Sequence, residues 1–114
     1  MNWVALNDES LLEEINQRSF DPSVKGILIF KHSTRCATSS MALNRLERNW
    51  NLSADLFPNY FLDLIRYQSI SAKIAQVYNV THESPQVLVI KNGKCIYTVS
   101  HSGINFAELS ELPV

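Results

Sequence analysis

Apolar positions recur with a helical period in some stretches and run together or alternate in others, and the changes between these rhythms predict elements in the order α-β-α-β-α-β-β-α. Leu11, Leu12 and Ile15 share one helical face, with Asn7 as the cap, Arg18 and Ser19 at the end and Asp21-Pro22 as the turn beyond. Trp3-Val4-Ala5-Leu6, ahead of that helix, reads as a short edge strand. Residues 25–31 are apolar almost without interruption, the pattern of a strand buried on both faces of a helix-covered parallel sheet. A helix follows from Cys36 or Ala37 to about Asn51, with Ala42 or Leu43, Leu46 and Trp50 as its buried stripe. Asn59 to Ile65 is the next strand, and Ser69 then caps a helix carrying Ile70, Ile74, Val77 and Tyr78. After a loop over 80–84, Gln86–Lys91 and Lys94 to about Ser100 form two strands joined by Asn92-Gly93, the strongest short-range hairpin signal. Gly103 breaks the pattern, and a last helix carries Phe106, Leu109 and, a turn further, Leu112.

Two core strands joined by a helix are expected to be parallel, with a right-handed crossover, and the final pair antiparallel. Helices then cover both faces of a mixed sheet. The 114 residues fit one domain spanning 1–114, long enough to bury roughly two-thirds of the unfolded chain's surface. An apolar content of 46% against 18% charged residues excludes a disordered chain. The formal net charge of −1, with no basic block, argues against a nucleic-acid partner. No stretch approaches the roughly 20 apolar residues that span a bilayer, and no secretory signal opens the chain, so a cytoplasmic protein away from membranes is the expectation.

The chemistry gathers at Lys31-His32-Ser33-Thr34-Arg35-Cys36-Ala37-Thr38-Ser39. Cys36 stands where a buried strand ends and a helix begins. Unpaired backbone N–H groups and the positive end of the helix dipole favour a thiolate there. Cys95 is the only other cysteine and is expected to pack on one face of the last strand rather than resolve a disulfide. Two distant cysteines and the scattered His32, His82 and His101 make no metal site.

Strand, turn, cysteine at a helix start, and later Ser84-Pro85 entering a hairpin together resemble the thioredoxin fold. The resemblance implies that Pro85 is cis and packs beside the reactive sulfur, with Ser84 offering backbone groups to the substrate. Redox members often carry C-x-x-C; here the fourth position is Ser39, which cannot close a disulfide but can donate a hydrogen bond to a thiolate. A narrower resemblance rests on Lys31-His32-Ser33, Cys36, Ser39, His82-Glu83-Ser84-Pro85-Gln86, Asn92-Gly93 and His101-Ser102-Gly103-Ile104. These are similar to the monothiol bacilliredoxin family, over residues from about 25 to the C-terminus. That family usually reads Thr-Cys-Pro-Ile-Ser where this chain has Arg35-Cys36-Ala37-Thr38-Ser39, so a rigid first-turn proline is absent.

The resemblance implies a monothiol thiol–disulfide oxidoreductase that removes bacillithiol, or an equivalent small thiol, from mixed disulfides on client proteins. No tightly bound cofactor is implied; the small thiol is a co-substrate. Cys36 and Ser39 would be catalytic. Thr34, Arg35, His82, Ser84, Pro85 and His101 would bind substrate, with Arg35 foremost, and Lys31 and His32 are further candidates for the carboxylates of bacillithiol. Asp63 reads as a water-facing edge residue in preference to a buried carboxylate near the sulfur. A non-catalytic thioredoxin-like binding module and a cysteine redox sensor are the competing readings.

Overall fold

The computed structural model describes residues 1–112, the side chain of Ser102 apart. The elements in chain order are β1 (Trp3–Ala5), α1 (Ser10–Arg18), β2 (Ile27–His32), α2 (Ala37–Asn49), β3 (Asn59–Asp63), α3 (Gln68–Val77), β4 (Gln86–Lys91), β5 (Lys94–Ser100) and α4 (Phe106–Ser110), with a 3-10 turn over His101–Gly103. The strands form one mixed sheet in the order β1-β3-β2-β4-β5. β3 runs parallel to both β1 and β2, and β4 runs antiparallel to both β2 and β5. This is the thioredoxin-like α/β architecture that the resemblance implies, with the expected parallel pair β2/β3 extended by β1, a C-terminal antiparallel hairpin and helices on both faces.

β2 sits at the centre, and every one of its residues is buried, which is why the run carries no alternation. Its odd residues Ile27 and Ile29 pack under α1 and α3 with Leu12, Ile15, Ile70 and Ile74. Its even residues Leu28 and Phe30 pack under α2 and α4 with Ala42, Leu46 and Leu109. The Asn92–Gly93 turn has φ of 53° and 75°, the left-handed pair that this hairpin requires. In β5 a bulge opposite Val89 and Ile90 leaves Ile96 without a partner, so Cys95 packs with the α1/α3 cluster while Tyr97 packs with the α2/α4 cluster.

Several boundaries differ from the sequence reading. Asn7 does not cap α1: Leu6 N–H still bonds the sheet through Phe61 O at 2.8 Å, and Asp8 Oδ1 accepts the Ser10 N–H at 2.9 Å. Ser69 lies inside α3 rather than at its cap, because Tyr67 N–H bonds Asp63 O at 2.9 Å and Tyr67 takes the cap position two residues earlier. β3 stops at Asp63, not Ile65, since β2 ends opposite it at His32. Asp63 is half-buried at the end of an inner strand, not on a water-facing edge. Leu112 lies past the end of α4 yet packs on the core, and Pro113 and Val114 lie outside the described residues.

Candidate active site at the end of the central strand

Register brings the expected residues to one end of the sheet. Lys31 of β2 pairs with Gln86 of β4, and Gln86 pairs with Ser100 of β5. So the exit of β2 toward Cys36, the entry of β4 from Ser84–Pro85, and the exit of β5 into His101 share that end. The link is direct on the β4 side, where His101 N–H donates to Pro85 O at 3.0 Å. The Ser84–Pro85 peptide is cis.

Cys36 is the residue before the first turn of α2, with φ −116° and ψ 116°. Its N–H closes a turn on Ser33 O at 3.1 Å, and its C=O accepts from Ser40 N–H at 3.2 Å. The thiol is half-buried and free, flanked by exposed Thr34, Arg35, Ala37 and Thr38. No side chain caps α2, so its first N–H groups remain available to a negative charge at this place.

Ser39 is fully buried one turn into α2. Its Oγ lies 2.7 Å from His32 Nδ1 and accepts the Ser33 N–H at 3.1 Å. The hydroxyl is thereby engaged on the strand side, and among the described residues it makes no bond to Cys36 Sγ. The Ser39–Ser33 bond pins the loop that carries Cys36 to the helix that follows. His32 packs against Phe30 and Phe61, and burial lowers its pKa while the charge of Asp63 opposes that.

The loop after α3 is held from three sides. Gln86, 3% exposed, donates to Thr81 O at 3.0 Å and to Thr98 Oγ1 at 3.3 Å, and its Oε1 accepts from Glu83 N–H at 3.4 Å. Ser100 Oγ bonds the Glu83 carboxylate. From β2, Lys31 Nζ donates to His82 Nδ1 and to Ser71 O, each at 3.3 Å. Within this frame Ser84 Oγ is buried without a hydrogen-bond partner among the described residues.

Lys31 and His32 are therefore not surface donors for a small thiol. They are 1% and 6% exposed and face opposite sides of the sheet. Burial drives the Lys31 pKa down from 10.5 to about 8. His82 is exposed, its pKa lowered by partial burial and by the Lys31 charge against an opposing effect of Glu83. Cys95 Sγ donates to Tyr97 O at 3.3 Å within β5, and burial raises its pKa. Sequence reasoning missed the Lys31–His82 link, the Ser39–His32 bond and the Gln86 clamp. The available signal was a lysine and a histidine closing a strand that otherwise reads as buried on both faces.

The fold and this end of the sheet define a thioredoxin-fold protein. Structural relatives agree. One is a candidate oxidoreductase with a thioredoxin fold, 26% identical, with a TM-score of 0.78 over 96% of this chain and 91% of that one. Another is the thioredoxin of Malassezia sympodialis, 19% identical, with a TM-score of 0.68 over 96% and 85%. A third is thioredoxin f from spinach chloroplast, 12% identical, also with a TM-score of 0.68, over 96% and 88%. The family model described as monothiol bacilliredoxin BrxC matches residues 4–109, and the chain belongs to that family. Family and fold together support a redox function of the oxidoreductase kind.

Proposed function

We propose that this protein removes a bacillithiol-like small thiol from mixed disulfides on client proteins, with Cys36 as the sole reacting thiol. The observation that carries this reading is the place of Cys36 at the uncapped start of α2, with buried Ser39 where a second thiol would stand. In the first step the Cys36 thiolate attacks the small thiol's sulfur in the mixed disulfide. The client–sulfur bond breaks, a disulfide forms between Cys36 and the small thiol, and the client leaves as a thiolate that takes a proton from solvent. In the second step an external thiolate displaces the small thiol from Cys36 as a new disulfide and regenerates the Cys36 thiolate.

Ser39 offers no sulfur to replace that external thiol. Cys95, turned toward the α1/α3 cluster and bonded to Tyr97, offers none in reach of the helix start. Exposed Thr34, Arg35, His82 and His101 surround the same end of the sheet, where Arg35 supplies a cation for the small thiol's carboxylates. Ser84 supplies its backbone groups and an unpartnered hydroxyl beside Pro85. The reaction suits a reducing cytoplasm, where such mixed disulfides are transient.

The test incubates a client carrying the small thiol in a mixed disulfide with wild-type protein and with Cys36→Ser. Intact mass reports the release. Wild type is expected to free the client and to carry the small thiol on Cys36, while the variant does neither. Equal release by both proteins would overturn the proposal and favour a binding module.

A further inference from the structure

The least expected group in this fold is a buried lysine near the end of the central strand. Lys31 is 1% exposed, and its Nζ has no carboxylate partner among the described residues. An ammonium can only donate. It donates to Ser71 O and to His82 Nδ1, and Ser71 Oγ stands 3.3 Å from the same ring nitrogen. His82 Nδ1 is thus an acceptor facing a cation. A proton on it would set an N–H against an ammonium, so this geometry favours a neutral ring with its proton on Nε2.

We propose that Lys31 is a positioning residue, which holds the His82 ring in the Nε2–H tautomer and ties the loop bearing Ser84–Pro85 to the strand that leads to Cys36. The groups facing His82 from neighbouring elements are Lys31 of β2, Ser71 and Gln68 of α3, and Leu64 after β3, with Glu83 on its own loop. Gln68, Ser71, Leu64 and the ring line an open cavity of about 400 Å³. With Nδ1 occupied from below, the free edge of the ring is a neutral N–H donor. Placed two residues before Ser84–Pro85, it suits a carbonyl or carboxylate oxygen of whatever docks at that loop. The consequence for exchange rests on the proposed function; the tautomer itself does not.

The experiment records ring nitrogen shifts of histidine-labelled protein across pH for wild type, Lys31→Met and Ser71→Ala, with His82→Gln to assign the signals. Wild type should show an unprotonated Nδ1 and a protonated Nε2, and Ser71→Ala should keep that pattern because the ammonium remains. Lys31→Met should bring the two nitrogen shifts toward each other and move the His82 titration midpoint upward, both of which a merely structural lysine would leave alone. Unchanged shifts and midpoint in Lys31→Met would overturn the proposal. In parallel, the acid limb of the client-release rate should move upward with the His82 midpoint in Lys31→Met. If wild type releases nothing, the proposed function fails while the ring shifts still decide the role of Lys31.

Discussion

Replacing Lys31 by methionine should make the protein more stable at neutral pH. The side chains are similar in length and volume, so the change removes a charge without opening a cavity. The native lysine pKa lies near 8 against 10.5 for an ordinary lysine. At roughly 1.36 kcal/mol per pH unit, that difference opposes folding by about 3 kcal/mol. The sign follows from proton counting. Between pH 8 and 10.5 the unfolded chain holds the Lys31 proton and the native chain does not, so native stability rises with pH across that window. The cost is complete below it and absent above it. Methionine abolishes the cost, and the lost bonds matter little because Ser71 O lies within α3 and the Ser71 hydroxyl, 3.3 Å from His82 Nδ1, can still donate to it. The expected gain at pH 7 is about 2–3 kcal/mol, in the range seen when buried charges give way to apolar groups. That corresponds to a melting temperature higher by roughly 10 °C. Urea unfolding of both proteins at pH 7 and at pH 10.5 measures it, the difference between proteins cancelling all other titrations. A variant no more stable at pH 7, or a gain that persists undiminished at high pH, would refute the reasoning.

Other substitutions test the packing around the site. Gly26→Ala, just ahead of β2, would set a Cβ 2.8 Å from Val89 Cγ1 and 3.4 Å from the Phe57 ring, and should cost about 1–3 kcal/mol in urea unfolding. Ser39→Ala leaves buried His32 Nδ1 and the Ser33 N–H without their partner, so it should destabilise by about 1–3 kcal/mol; an unchanged midpoint would deny the bond its role. Gln86→Ala strips two bonds from the loop, at Thr81 O and Glu83 N–H, and a third from Thr98 of β5, and amide hydrogen exchange should rise at Glu83 while the β2 amides keep their protection. His32 has a native pKa below the ordinary 6.5, so stability should fall as pH drops through and below 6.5, and His32→Phe should flatten that fall in acid titrations followed by fluorescence.

Much of this molecule is determined by short-range pattern. The continuous apolar run before Cys36 specifies a central strand, because only a strand covered on both faces removes every position from water. Asn92-Gly93 specifies the hairpin, because both residues accept positive φ. Cys36 at a strand-to-helix junction and Ser39 one turn on are visible in the same way, since local spacing alone places them. Cap positions at Asn7 and Ser69 were not legible, because backbone groups of the sheet and of Asp63 decided where α1 and α3 begin.

What only the tertiary structure decided is which neighbours share a face and which distant residues meet. Lys31 and His32 are adjacent in the chain but lie on opposite sides of the sheet, one under α3 beside His82 and the other under α2 beside Ser39. A single bulge at Ile96 turns Cys95 and Tyr97 to different cores, although their spacing of two suggests one face. The loop before Pro85 is set by Lys31, Gln86 and Ser100, which come from three strands and carry no common motif. Pattern reports how often a residue meets water; the partner of a buried polar group depends on strand register, which long-range pairing establishes.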